Sequence, residues 1–393
     1  MENGLNVLLI HKPTAYGEKV PAAASMVVEA GFFHEPRNMP GLAHFCEHLL
    51  FMGTEKYPDE NHFENHVRRF GGYYNASTHE DFTRYYFELL ESSQIFQEAL
   101  DIWAQFFIAP LMKREAIERE INAVDSEFDI ARQKDWARQL FIIQEALMMK
   151  GHPVQQNGWG NRNTIFEDPK SRGIDSYEAL QEWYPLHYSS NWMNLCVQSA
   201  DTLDHMESYV RNIFSAIPKR HGLDRPKTNP YTASNASSLF KTNRPKLIRH
   251  VPVNNGDSLH LWFYLPPMPS DQASNLLAIP SYLIGHEGEG SILNLLKQEG
   301  LATELLIGSF LGTKLKSRVE IVIRLTKDGL KNWQRVYQVI FSYVKMSQEM
   351  SQQELQRIYQ EVKSIHEATW QCLEEKAASH NVLGYPRNLY CRH

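Results

Sequence analysis

Apolar positions recur along this chain with two periods, one near two residues and one near three and a half. Short apolar or alternating runs predict strands at residues 6–10, 22–28, 83–89 and 193–198. Helical spacing predicts a helix from about residue 41. Further helices are expected at 61–70, stopped by Gly71-Gly72, at 94–107, over most of 114–147, at 176–188 and at 203–214. Phe96, Leu100, Trp103 and Phe107 share one side of the 94–107 segment and read as core packing. From 218 to 241 the pattern breaks down into Pro, Ser, Asn and Lys, the composition of a linker. Beyond it, strands are expected at 258–265 and 318–325. Helices are expected at 275–284, bent at Pro280, and at 292–298 and 355–367. The order strand, helix, strand, helix echoes the first part and points to duplication. The expectation is an α+β chain: a first domain 1–217, a linker 218–244 and a second domain 245–393.

Composition narrows the class. The 393 residues, 42% hydrophobic and 22% charged, suit a globular chain of two ordinary domains. A net charge of −6 does not favour nucleic acid. No run of ~18 apolar residues is present, so no transmembrane helix is expected. The first apolar run, Val7 to Ile10, is too short for a signal segment and lacks a basic lead. A cytoplasmic location with reduced thiols is therefore the expectation for Cys46, Cys196, Cys372 and Cys391, which show no paired spacing. Asn75-Ala76-Ser77 and Asn235-Ala236-Ser237 match the glycosylation pattern, which is expected to be unused.

The chemistry lies in His44-Phe45-Cys46-Glu47-His48, an H-x-x-E-H pattern. Residues four apart on a helix project from one face, so the two imidazoles can share a zinc ion. Glu47 lies beside them and can take a proton from water without ligating the metal. Leu42, Ala43, Phe45, Leu49, Leu50 and Phe51 sheathe these polar groups, unlike a solvated helix face. A third ligand is expected in Arg119-Glu120-Ile121-Asn122-Ala123-Val124-Asp125-Ser126-Glu127. Glu120 and Glu127 lie seven apart, on one helical face, and spacing leaves open which ligates zinc and which orients a histidine. His286-Glu287-Gly288-Glu289-Gly290-Ser291 reads as a glycine-rich turn before a helix and contains no phosphate-binding loop. No second H-x-x-E-H occurs, so the second domain is expected to be metal-free.

Pro40 through His48, Phe51 through Pro58, Asn75-Ala76-Ser77-Thr78 and Glu120 through Glu127, in this order, resemble the insulinase (pitrilysin) family of inverted-motif zinc peptidases. Phe106 through Met112 and Asp125 through Phe128 lean toward its nardilysin branch, and the resemblance runs from about Asn3 to about Pro386. It implies two similar α/β-sandwich domains, each an antiparallel-rich sheet with helices packed on it. Zinc, one per chain, would sit on His44, His48 and Glu127, with Glu47 as general base and Glu120 supporting the site. Peptide substrates would bind as an added strand at Asn75, Ala76 and Ser77, and Gly288 and Gly290 would belong to an exosite gripping the substrate's N-terminal end. Members of this branch have four such domains in two halves. By this resemblance the chain is expected to correspond to the first half, with its second domain expected to stop short after Tyr385-Pro386. The implied function is a zinc metalloendopeptidase. The alternative is a half-length, weakly active or inactive zinc-binding protein that binds peptides, a homo-oligomeric copy or a second-half partner.

Overall fold

A computed structural model describes residues 1–13, 20–90, 93–148, 155, 158–220, 245–254, 256–265, 277–310, 317–372 and 377–390. They form two compact units. The first takes in the described residues up to Lys246 together with the last helix, Ala378–Tyr390, and the second takes in the described residues from Leu247 to Cys372.

The first unit is built on a five-stranded sheet. Strands β1 (Asn6–His11), β2 (Ala22–Val28), β3 (Tyr73–Thr78), β4 (Thr83–Leu89) and β5 (Met193–Ser199) run in the order β1-β5-β2-β4-β3. Only β1 and β5 pair in parallel. The helices around it include α1 (Leu42–Leu50), α2 (His62–Arg69), α3 (Ser93–Ile108), α4 (Ile117–Arg132) and α5 (Asp135–Leu147).

Strand β2 is buried along its whole length, which explains its continuous apolar run. Its residues Ala24, Met26 and Val28 join the main core with Phe87 of β4 and the stripe Phe96, Leu100, Trp103 and Phe107 of α3. Trp103 meets Phe87 edge-on at 5.2 Å and Phe107 at 5.4 Å. The stripe is core, as its spacing predicted.

On the other face of the sheet, Ala23 and Cys196 pack with Ala378 and Val382 of the last helix. The sequence reading carried the second domain to residue 393. In the structure this helix belongs with the first unit, because it covers the apolar back of the first sheet. Residues 114–147 are mostly helical, as expected, with one interruption between α4 and α5, where Lys134 is extended at φ −100° and ψ 128°.

The second unit is a three-stranded antiparallel sheet in the order β6 (Ser258–Leu265), β8 (Ser317–Leu325), β7 (Ala302–Phe310). Helices Ile292–Gln298 and Trp333–Gln348 close its core through Leu293, Leu296, Val336 and Ile340 against Leu305, Ile321 and Ile323. Strand β7 and the 333–348 helix are additions to the elements expected from sequence. The helix Ala278–Gly285 starts just before Pro280, so the proline falls in its first turn and causes no kink. The expected linker beyond residue 220, with Asn235 in it, lies outside the described residues, and so do residues 275–276 and Cys391. The class is α+β, with two open sheets each carrying helices.

Candidate metal centre

Helix α1 begins at Gly41, whose φ of +99° is a left-handed conformation suited to glycine. A Cβ there would meet Gly160 Cα at 2.2 Å, so the two glycines let the 158–160 turn lie against the start of the helix. Trp159 in that turn packs on Trp136 and Phe141 of α5, at ring distances of 5.5 and 6.0 Å. The other hold on the helix start is Glu35. Its two carboxylate oxygens accept the Gly41 and Ala43 N–H groups, each at 2.8 Å. Of the sheath read from sequence, Leu42, Ala43, Phe45, Leu49 and Leu50 are fully buried on the core-facing side of α1, and Phe51 is partly buried against the same core.

The opposite side of α1 faces α4. His44 and His48 stand with ring centroids 4.9 Å apart. His44 Nδ1 donates to the Trp159 carbonyl at 2.7 Å, so Nε2 is the ring nitrogen turned toward Glu127. That Nε2 lies 3.3 Å from Glu127 Oε2, and His48 Nε2 lies 3.7 Å from Glu127 Oε1. Donor atoms at ~2.1 Å around a tetrahedral zinc are about 3.4 Å apart. The three donor groups converge within 4.8 Å of one another, in a set of two nitrogens and one carboxylate that fits zinc. Glu127 is about half-exposed, so the site opens to solvent on that side.

Glu120 takes the other position. Its Oε2 lies 3.3 Å from His48 Nδ1, while Arg119 Nε donates to its Oε1 at 3.0 Å. Arg119 in turn reaches Glu60 at 2.8 Å. Of the two glutamates left open by spacing, Glu127 faces both Nε2 atoms and Glu120 faces Nδ1 of His48.

The charges follow from this arrangement. Hydrogen bonds with His44 and then His48 hold the Glu127 carboxyl well below its ordinary range. Burial opposes ionisation of Glu120, but His48 and Arg119 outweigh it and hold that carboxyl low as well. Burial also works against a charged His48, yet Glu120 and Glu127 push it up to about 9. A pocket that stabilises positive charge this strongly between two carboxylates is electrostatically suited to a cation.

Glu47 lies in the same place with a different environment. It is 8% exposed, and burial raises its carboxyl against the pull of His44, Thr78 and His48. Thr78 Oγ1 donates to its Oε2 at 2.5 Å. Asn75, Ala76 and Ser77 lie on β3, one of the two edge strands of the sheet, and so on the same strand as Thr78. Gly288 and Gly290 belong to the second unit, in the turn before Ser291, whose hydroxyl caps the helix Ile292–Gln298. Two groups that orient the site were missed by the sequence reading, Glu35 and the Trp159 carbonyl, and Thr78 was read only as part of the Asn75-Ala76-Ser77-Thr78 edge, without its contact to Glu47. For Trp159, the flanking Gly158 and Gly160 carried a signal, as a close backbone approach.

Residues 7–156 match the family model described as insulinase (peptidase family M16), and residues 176–362 match the peptidase M16 inactive domain. The chain belongs to the insulinase (M16) family of peptidases. It is 40% identical to nardilysin of Homo sapiens over 350 residues, which are 88% of this chain and 30% of that protein. It is 34% identical to the A-factor-processing enzyme of Saccharomyces cerevisiae over 383 residues, 97% of this chain and 36% of that enzyme. The crystal structure of pitrilysin shares its fold, with a TM-score of 0.82 at 23% identity over 99% of this chain and 40% of that one. This M16 chain spans about a third of the length of the curated relatives it matches. The family and the α+β class expected from sequence are borne out.

Proposed function

We propose that this M16 chain is a zinc metalloendopeptidase that hydrolyses peptide bonds in peptides and oligopeptides. The observation that carries the proposal is the convergence of His44, His48 and Glu127 with the buried carboxyl of Glu47 beside them. His44, His48 and Glu127 would hold one zinc ion per chain. Zinc, when bound, supplies a Lewis acid that polarises a carbonyl and acidifies water.

The chain's own residues do the rest. Glu47 takes the proton of the attacking water and delivers it to the leaving amide nitrogen, a task suited to a carboxyl raised above its ordinary range. Glu120 and the Trp159 carbonyl hold the two rings by their Nδ1 atoms. Asn75, Ala76 and Ser77 present the outer edge of β3 to an extended peptide backbone. Gly288 and Gly290 are proposed to grip the N-terminal end of the substrate. A cytoplasmic setting agrees with three free cysteines, Cys46, Cys196 and Cys372. No helix among the described residues is long and apolar enough to cross a membrane. The charge of −6 does not favour nucleic acid.

The alternative is a weakly active or inactive zinc-binding protein that holds peptides, another copy of itself or a second-half partner, since a His-His-Glu set can hold a metal without turning over substrate. Zinc content and cleavage of a quenched peptide, with and without chelator and beside Glu47→Gln, separate the two. Chelator-sensitive cleavage lost in Glu47→Gln supports the peptidase. One zinc per chain without such cleavage leaves the binding protein.

A further inference from the structure

We infer that Thr78 is a positioning residue for Glu47 and that it references the base to the strand on which substrate lies, an inference that rests on the peptidase reading above. Its hydroxyl is 2.5 Å from Glu47 Oε2, at the short end of the range for an O–H donor on a carboxylate. No other hydrogen bond to the Glu47 side chain is present among the described residues. One carboxylate oxygen, Oε2, is thus held by Thr78.

The donor is itself tightly held. Thr78 ends β3 and pairs with Thr83 of β4. The turn beyond it is closed by His79 N–H donating to the Phe82 carbonyl at 2.8 Å. Phe32 N–H donates to the His79 carbonyl at 3.0 Å, and Phe33 N–H donates to the Glu80 carbonyl at 2.7 Å. Thr83 Oγ1 reaches the Ala30 carbonyl at 2.8 Å. A Cβ on Gly31 would meet the His79 carbonyl oxygen at 2.2 Å, so the segment leading to α1 lies directly on this turn. The β-branched side chain adds a restricted χ1. The hydroxyl therefore has little freedom, and the carboxylate it holds inherits that order.

The consequence is geometric. Glu47 sits on α1 with the metal-site histidines, whereas Thr78 sits on the strand whose edge would take the peptide. The hydrogen bond crosses from one to the other. It keeps the base in register with a peptide backbone laid along β3, which is where a small misplacement costs most. A threonine serves this better than a charged donor, which would itself compete for the proton.

The test is a kinetic split with two independent readouts. Thr78→Val keeps shape and removes the donor, and Thr78→Ser keeps the donor. For zinc-loaded Thr78→Val, kcat on a quenched peptide should fall ~10- to 100-fold with KM within about twofold. Zinc per chain should be unchanged, as should the Kd of a fluorescent peptide for the zinc-free chain. Thr78→Ser should restore most of kcat. In a crystal structure of Thr78→Val, the Glu47 carboxylate should rotate away or split into two orientations. Unchanged kcat overturns the inference, and so does a matching loss of peptide affinity, which would mark a structural role for the edge. If the zinc-loaded wild-type chain cleaves nothing, the peptidase reading fails instead. The crystallographic arm still decides the role of Thr78, since an unmoved Glu47 refutes it. Should Thr78→Val fail to fold, Thr78→Ala carries the same measurements.

Discussion

Replacing Glu35 tests how the start of helix α1 is held, and its effect depends on pH in a way that can be worked out. Glu35 is 6% exposed and accepts two backbone N–H groups from the first turn of the helix. Burial pushes its carboxyl from 4.5 up to about 8, against the pull of the Gly41 and Ala43 N–H groups. A raised value means that the folded chain keeps a proton the unfolded chain has already released. The stability attached to that proton is whole below about 4.5 and is lost as pH rises to about 8. At ~1.4 kcal/mol for each pH unit, the upper bound on the loss is roughly 5 kcal/mol.

Glu35→Gln cannot ionise; its NH2 replaces one accepting oxygen and leaves one of the two backbone N–H groups unpaired, a loss that does not vary with pH. Melting curves of the metal-free wild-type and Glu35→Gln chains at matched ionic strength isolate the effect. The wild-type midpoint should fall relative to the variant between pH 4.5 and about 8 and then level off. Glu35→Ala instead orphans two buried donors at ~1–3 kcal/mol each. At pH 6 its midpoint should drop by roughly 5–20 °C, using ~2–4 °C per kcal/mol for a domain of this size. Wild-type and Glu35→Gln curves that stay parallel across the range would refute the account of the buried carboxyl. An unshifted Glu35→Ala would refute its role as a cap.

Three further outcomes follow from the same geometry. Glu127→Gln should abolish stoichiometric zinc binding, while Glu120→Gln should keep the metal with affinity weakened ~10- to 100-fold. Metal analysis after dialysis checks this, and equal losses in both would contradict the division of roles. Gly160→Ala places a Cβ 2.7 Å from Gly41 Cα and 2.6 Å from Ile165 Cδ1 in a backbone at φ +69°. It should displace the Trp159 carbonyl from His44 and weaken zinc ~10-fold, measured by chelator competition, and unchanged affinity would show that this carbonyl does not orient the ring. Trp103→Ala, at a 1% exposed site, should cost ~3–5 kcal/mol in urea unfolding followed by circular dichroism, and a loss below about 1 kcal/mol would deny it a place in the main core.

How much of this was legible in the sequence depended on the range of the interaction. His44, Glu47 and His48 share one helical turn, and Glu120 and Glu127 share one helical face, so local periodicity brought the reactive residue types together. The choice between the two glutamates needed the packing of α1 on α4, which spacing alone does not encode. The orienting groups lie further still. The Thr78 hydroxyl is 31 residues from Glu47, and the Trp159 carbonyl is 115 residues from His44. A carbonyl has no residue-type signature at all, and a lone threonine or glutamate has too many ordinary uses. The same reasoning accounts for the last helix. Ala378–Tyr390 contains Gly384 and Pro386, poor helix residues by local preference, and it forms against the apolar back of the first sheet. Tertiary burial there overrides propensity. At the candidate metal site the long-range contacts act on a set of reactive groups that the sequence already contained, and they set its geometry: the Trp159 carbonyl and Glu120 face the Nδ1 atoms of His44 and His48, and Thr78 holds Oε2 of Glu47.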